Sequence, residues 1–252
     1  MRRRERARAF GVSNIVLRFT ISCYTSTMIA HALLLGLTLG VRHAFEPDHL
    51  AAITTLLARN SGARAAAETG AAWGLGHAGA VILLGGAIVA TGLRIPSALA
   101  VGLDLAVGGM LLVLAGQAFF RARARASGGE FSESVAPSAT AAHPHEHDAA
   151  PGRRRGSTLV GFVHGASGSA AITLLCLTTF RSRAHALAFL LVFALGALAS
   201  MSALSGLIAA PLAAIARRGH RAERAMLVAG GVLALAAAVA VVVTAVASPG
   251  AT

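Results

Sequence analysis

Six long apolar runs divide the sequence and restrict its fold more than any other feature. Stretches of about 18 or more apolar residues predict membrane-spanning helices, because such a helix crosses a hydrocarbon core about 30 Å thick. The runs cover residues 28–57, 70–93, 96–119, 158–180, 184–210 and 225–247. We therefore expect an all-α, polytopic membrane bundle of about six transmembrane helices.

The composition and the charge pattern agree with this class. Hydrophobic residues make up 56% of the chain and charged residues only 13%, against about 25% charged residues in soluble domains. All 22 basic residues are arginines, and twelve of them lie in the segments 58–69, 120–157 and 211–224. By the positive-inside rule these segments face the cytoplasm of a bacterial inner membrane. The net charge of +12 therefore requires no nucleic-acid partner.

The runs define four regions of the chain. Residues 1–27 form an arginine-rich arm, and we hypothesise that translation begins at Met28, directly before the first apolar run. Residues 28–119 are a first transmembrane half, and residues 158–252 are a second. Between them, residues 120–157 are rich in Ser, Pro, Gly and His, which predicts a disordered cytoplasmic loop.

The two halves share a short repeat. GVRHAFEPDHLAAITTLL (40–57) and GFVHGASGSAAITLL (161–175) both contain a glycine, a histidine and an AAIT segment, with two additional residues in the first copy. Three spans in each half would invert the second half relative to the first. Inverted repeats with interrupted helices are typical of transporters, whose binding site lies near the bilayer midplane.

The first run contains four ionisable residues within seven positions: His43, Glu46, Asp48 and His49. Ionisable side chains at membrane depth are costly and indicate a functional site. On an ideal helix the two histidines and Glu46 share a face, whereas Asp48 lies on the other side. Pro47 cannot donate a hydrogen bond to the His43 carbonyl. We therefore expect this run to be kinked or broken at Pro47, which frees this carbonyl, and a kink would turn Asp48 towards the histidines.

This combination of side chains predicts a metal site. Imidazoles and carboxylates without thiols suit Ni(II), Co(II), Zn(II) or Mn(II) better than Cu(I). His77 and His164 lie in other spans, among glycines that permit close helix contact, and would complete a ligand cage. The alternative is that the first-run histidines lie at the membrane edge and that Asp48 caps the helix after Pro47.

A further histidine-rich segment, HPHEHD (143–148), lies in the polar loop. Alternating histidines in a flexible chain bind transition metals weakly and reversibly. We therefore expect His143, His145 and His147 to form a capture or hand-off segment on the cytoplasmic side.

These motifs resemble those of the nickel/cobalt transporter family. HAFEPDH (43–49) is similar to the H-x4-D-H signature of that family, with Glu46 in place of the usual aspartate. GLGHAG (74–79) resembles the L-G-H-S segment in the family's next span. GFVHGASGSAAITLL and LGALASM (195–201) more closely resemble related six-span membrane proteins associated with urease accessory functions.

The resemblance implies a transporter rather than an enzyme, with Ni(II) or Co(II) as the transported substrate and no permanently bound cofactor. It implies that His43, Asp48 and His49 are the metal-motif residues and that His77 contributes from the second span. The partners that it implies are the divalent metal ion, the lipid bilayer and cytoplasmic nickel-enzyme maturation proteins.

Two other function classes fit single motifs. GASG (165–168) matches the GxSG motif of rhomboid intramembrane serine proteases, with Ser167 as the nucleophile. Such an enzyme needs a histidine base, and no histidine follows well inside a later span. Cys23 and Cys176 raise the alternative of a thiol electron carrier, although neither cysteine has a flanking proline or a nearby partner.

Overall fold

The fold is known from a computed structural model that describes residues 29–57, 63–93, 96–126, 151–180 and 182–247. The described residues form eight α-helices: α1 (Ile29–His43), α2 (Pro47–Leu57), α3 (Ala63–Ala80), α4 (Gly86–Thr91), α5 (Ser97–Ala126), α6 (Pro151–Thr179), α7 (Arg183–Ala216) and α8 (His220–Ala247). A π-helical turn, Val81–Gly85, joins α3 and α4 into one rod. Within these ranges the protein is all-helical, as predicted.

Several sequence predictions concern other parts of the chain. Four predicted features lie outside the described residues: the arm 1–27, the start at Met28, Cys23, and the loop histidines His143, His145 and His147. Both ends of the segment 120–157, which was predicted as a loop, are helical, because α5 continues to Ala126 and α6 already begins at Pro151. Alanine and arginine are both good helix formers, which explains how α5 extends through its polar end.

Four helical segments of the described chain are long and apolar enough to cross a membrane: Ala63–Thr91, Ser97–Arg125, Arg183–Ala216 and His220–Ala247. This agrees with a multi-pass helical membrane protein. The other two predicted spans, the first and the fourth, are not among these four segments. The first is divided into the short helices α1 and α2, and the fourth corresponds to α6, which has 29 residues. Six spans therefore stay a prediction.

The first apolar run is broken, which is one of the two predicted alternatives. α1 ends at His43, and α2 begins with Pro47 at its first helical position, where the missing amide hydrogen costs nothing. Between them the Glu46 amide donates to the His43 carbonyl at 3.1 Å, and the Phe45 amide donates to the Arg42 carbonyl at 2.9 Å. The expectation of a free His43 carbonyl was therefore wrong, because a tight turn supplies the donor that Pro47 lacks.

α6 lies along α3 in the same direction. Gly161 packs on the Trp73 carbonyl, and further along both segments Thr173 lies beside Gly85. A methyl group at Gly161 would overlap the Trp73 carbonyl oxygen. Glycine is therefore required for this close approach of the two backbones, which is a common arrangement in membrane bundles.

α1 lies along α7, and these two helices also run in the same direction. Gly36 lies beside Phe189, and one turn later Gly40 packs on the Phe193 carbonyl. A methyl group at Gly40 would overlap that carbonyl oxygen. Gly40 and Gly161 are the first glycines of the two repeat copies, so equivalent positions make equivalent contacts with a neighbouring helix.

α3 and α7 run in opposite directions. Gly70 in α3 lies beside Ser205 in the second half of α7, whereas Gly85, after the end of α3, lies beside Leu190 near the start of α7. Because α6 follows the direction of α3 and α1 follows that of α7, the segments with the two repeat copies cross the bundle in opposite directions.

Charged residues gather at one end of the bundle. Arg154 at the start of α6 forms an ion pair with Glu68 in α3 at 2.9 Å, and Arg125 at the end of α5 pairs with Glu223 in α8 at 3.1 Å. We call this the arginine-rich end; it contains the starts of α3, α6 and α8 and the ends of α2, α5 and α7. The opposite end contains the ends of α4 and α6 and the starts of α5 and α7.

Candidate metal site

Two predicted site residues mark the middle of the bundle. His77 is 14 residues from either end of the segment Ala63–Thr91, counting 63 to 77 and 77 to 91. His164 is 13 residues from Pro151 and 15 from Thr179, the two ends of α6. The rings of both histidines lie beside that of His49, which follows the break between α1 and α2. The predicted site is therefore at mid-depth in the bundle.

Four histidines from four helices form one cluster. The ring centroids of His43 and His49 are 4.4 Å apart, and those of His49 and His164 are 4.1 Å apart. The His77 ring lies 5.0 Å from the ring of His43 and 5.5 Å from that of His49. His49 and His77 are fully buried, and His164 is 3% exposed. These three histidines are thus buried inside the helix bundle.

The carboxylates of the motif contact ring nitrogens of these histidines. Asp48 Oδ1 lies 3.1 Å from His49 Nδ1, and Asp48 Oδ2 lies 3.1 Å from His164 Nε2. Glu46 Oε2 lies 2.9 Å from His43 Nδ1. A carboxylate beside one ring nitrogen favours a proton on that nitrogen and fixes the ring orientation. The other nitrogen of the same ring is then available as an electron-pair donor.

The available nitrogens are buried and lack partners. His43 Nε2, His49 Nε2 and both ring nitrogens of His77 form no hydrogen bond within the described part of the chain. One nitrogen from each of these three histidines lies within 4.8 Å of the other two. Buried polar atoms without partners cost free energy. A cation at their common centre would satisfy all three together.

A second set of ligand atoms overlaps the first. Asp48, His49 and His164 also offer three atoms within 4.8 Å of one another. Asp48 Oδ2 and His164 Nε2 contact each other at 3.1 Å, whereas His164 Nδ1 is buried and has no hydrogen-bond partner among the described residues. Both sets share His49 and either could hold a metal ion; in the first set Asp48 lies behind His49.

Two aromatic side chains line the histidine cluster. The fully buried Trp73 lies with its ring 5.3 Å from His49 and 5.9 Å from His164, and the Phe193 ring lies 5.4 Å from His43. Such walls exclude water and hold the imidazoles in place. Sequence reasoning missed Trp73, although it is the only tryptophan of the chain and precedes His77 by one helical turn.

Asp104 in α5 is a second residue that sequence reasoning missed. Its carboxylate accepts a hydrogen bond from the Ser167 hydroxyl on α6, one turn after His164. The available signal was an ionisable residue within the third apolar run, which is itself a reason to expect function.

The structure brings together all six residues predicted from the spans: His43, Glu46, Asp48, His49, His77 and His164. Asp48 lies in the first turn of α2, but it also bridges to α6, which a helix cap alone does not explain.

The other function classes receive no support from the described residues. The Ser167 hydroxyl is bonded to Asp104 rather than to a histidine, so its setting is not that of a serine nucleophile with a base. Cys176 is fully buried and forms no disulfide within the described ranges.

A comparison with known proteins finds one informative relative. The urease accessory protein UreH of Bacillus sp. (strain TB-90) is 28% identical over 198 residues, covering 74% of this chain and 79% of that protein. No family model and no solved structure matches the chain. The chain is therefore similar to a urease accessory protein over about three quarters of its length.

Proposed function

We propose that this protein carries divalent transition-metal cations, above all nickel or cobalt, across the membrane. One observation carries the proposal: His43, His49 and His77 come from three helices and direct unpaired, buried nitrogens to one place at mid-depth. In transporters, binding sites near the bilayer midplane are formed where a helix is interrupted. The break between α1 and α2 provides that interruption.

The donor set favours the later first-row divalent metals as substrates. Three imidazole nitrogens suit nickel, cobalt, copper(II) and zinc, whereas magnesium and calcium prefer a shell of oxygen ligands. In the proposed site Asp48 orients His49, and Glu46 orients His43. The negative charge of Asp48 also offsets part of the cost of placing a dication in the membrane interior.

The likeness to a urease accessory protein agrees with the motifs of residues 161–175 and 195–201, which resemble urease-associated membrane proteins. We propose nickel and cobalt as the substrates on this basis together with the H-x4-D-H motif. We also propose that cytoplasmic nickel-enzyme maturation proteins receive the ion, and that His143, His145 and His147 serve as a capture or hand-off segment on that side.

The proposed architecture is six spans in two inverted halves. The opposite directions of the two repeat copies support it, as do the equivalent contacts of Gly40 and Gly161. In this arrangement α1 and α2 together form the first span, and α6 forms the fourth. We place the arginine-rich end in the cytoplasm of a bacterial inner membrane, in accordance with the positive-inside rule.

The test is metal flux into proteoliposomes. Radioactive nickel or cobalt uptake is measured for the wild type and for His49→Ala and His77→Ala, with His185→Ala as the matched control. His185 is an exposed histidine at the start of α7, outside the cluster. We expect flux in the wild type and in the control, and a loss of flux in both cluster variants. Equal flux in all four proteins would exclude the histidine cluster as the transport site.

A further inference from the structure

The carboxylate of Asp104 is not part of the histidine cluster. It lies half-buried in α5, and its only described partner is the Ser167 hydroxyl. Among the described residues, no arginine or histidine forms an ion pair with it. A charged carboxylate at membrane depth without a counter-charge is costly, and such residues characteristically line an ion pathway.

The Asp104–Ser167 pair lies directly beside the histidine site. Ser167 follows His164 by one turn, in the direction of the opposite end of the bundle. The next residue, Gly168, has no side chain, and a methyl group there would lie 3.8 Å from both Cε1 and Nε2 of His43. The buried, unpaired Nε2 of His43 therefore faces α6 next to the residue that binds Asp104.

The internal repeat gives the pair a counterpart. Asp48 and Ser167 each stand three residues before the AAIT segment of their own copy. In the first copy this position is itself the carboxylate that contacts the histidines. In the second copy it is a hydroxyl, and the carboxylate is supplied by Asp104 from α5. Both copies thus have a carboxylate at or directly beside this position, although only the first copy carries it in its own sequence.

We propose that Asp104, held by Ser167, is a second cation-binding site, through which the divalent metal passes between the histidine site and the opposite end of the bundle. This inference rests on the proposed transport function. Carboxylate and hydroxyl oxygens hold nickel and cobalt more weakly than imidazoles do. Weak binding suits a transfer site, because conduction requires sites that an ion enters readily and leaves readily.

Asp104→Asn separates this role from a structural one. The asparagine carbonyl still accepts the Ser167 hydrogen bond, whereas the negative charge is lost. We expect the initial rate of cobalt flux to fall about tenfold or more, the size of effect seen when one charged contact is removed. The affinity of the histidine site for Co(II), measured on detergent-solubilised protein by visible absorption, should fall by much less than the flux, because the described contact of Asp104 is with Ser167 and not with a ligating histidine. Asp104→Glu should restore part of the flux.

Glu68→Gln is the matched control, because it makes the same acid-to-amide change on a partly exposed residue at the arginine-rich end. Wild-type flux in Asp104→Asn would overturn the inference. So would a parallel loss of flux and Co(II) binding in that variant, since this would indicate a structural role. If the wild-type protein neither binds nor transports the metal, the proposed function fails instead, and the two failures are thereby distinguished.

A second variant keeps the inference testable if Asp104→Asn does not fold. Asp104→Cys is prepared together with Cys23→Ala and Cys176→Ala, so that position 104 carries the only thiol. A membrane-impermeant thiol reagent applied at the opposite end should modify it, and Ni(II) should slow the modification. A thiol that is inaccessible from that end, or whose modification Ni(II) does not affect, would contradict a cation site at Asp104.

Discussion

Asp48 Oδ2 lies 3.1 Å from His164 Nε2, although the two residues are 116 positions apart. The contact joins the broken segment α1–α2 to α6, the two parts of the chain that contain the repeat copies. The other oxygen of the same carboxylate contacts His49. One side chain therefore sets the positions of two histidines on different helices, and through His49 it orients a nitrogen of the candidate metal site.

The bridging role of Asp48 predicts that the substitution Asp48→Asn strongly weakens metal binding. Asp48→Asn removes the charge and half of the acceptor capacity, while the shape of the side chain is retained. Loss of a carboxylate behind a ligating histidine typically weakens metal binding by about 10- to 100-fold. We expect a decrease in Co(II) affinity of this size in an equilibrium titration. Glu46→Gln should have a smaller effect, because Glu46 contacts one histidine and is half exposed. Equal affinities for Asp48→Asn and wild type would refute the bridging role.

The break at Pro47 predicts that metal affinity depends on the interruption between α1 and α2. Pro47→Ala restores an amide hydrogen and removes the ring, so helix can continue from α1 into α2. On a continuous helix Asp48 would point away from the face shared by His43 and His49. We therefore expect Co(II) affinity to fall about tenfold or more, as for other losses of a carboxylate partner. Helix content by circular dichroism should not decrease. An unchanged affinity would show that the tight turn at residues 44–46 maintains the break without the proline.

The backbone contacts of Gly40 and Gly161 predict that alanine lowers the stability of the protein at both positions. Gly40→Ala and Gly161→Ala each place a methyl group against a backbone carbonyl, of Phe193 and Trp73 respectively. Overpacking of this kind costs about 1–3 kcal/mol, so both variants should unfold at a lower temperature in detergent. Gly116→Ala is the control, because nothing lies within 4 Å of the added methyl group. A stable Gly40→Ala beside an unstable Gly161→Ala would argue against equivalent packing of the repeat copies.

The sequence was informative where histidines interrupted an apolar run, whereas the same kind of signal at Asp104 was missed. His43, Asp48 and His49 were found in this way, and the structure places His77 and His164 with them. Such residues are rare at membrane depth, so their signal is strong even in one sequence. Their convergence depends on how the helices pack, which no local pattern records.

The details that sequence reasoning missed depend on three-dimensional contacts. The His43 carbonyl is satisfied by the Glu46 amide, a turn that the effect of Pro47 alone did not predict. Trp73 looked like one more apolar residue, and its role as a wall appears only once His49 lies beside it. The division of the first run also could not be distinguished from a kink, because both relieve the same steric clash at proline.

Trp73 provides a direct optical test of metal binding. It is the only tryptophan, it is fully buried, and its ring centroid lies 5.3 Å from that of His49. Ni(II) and Co(II) have partly filled d shells and quench nearby indole fluorescence, whereas Zn(II) has a filled shell and quenches little. We expect saturable quenching by nickel or cobalt in the wild type and in His185→Ala. Quenching should be lost in His49→Ala and His77→Ala, and excess Zn(II) should compete with it. Quenching that persists in both cluster variants would mean that the ion binds near Trp73 without these histidines.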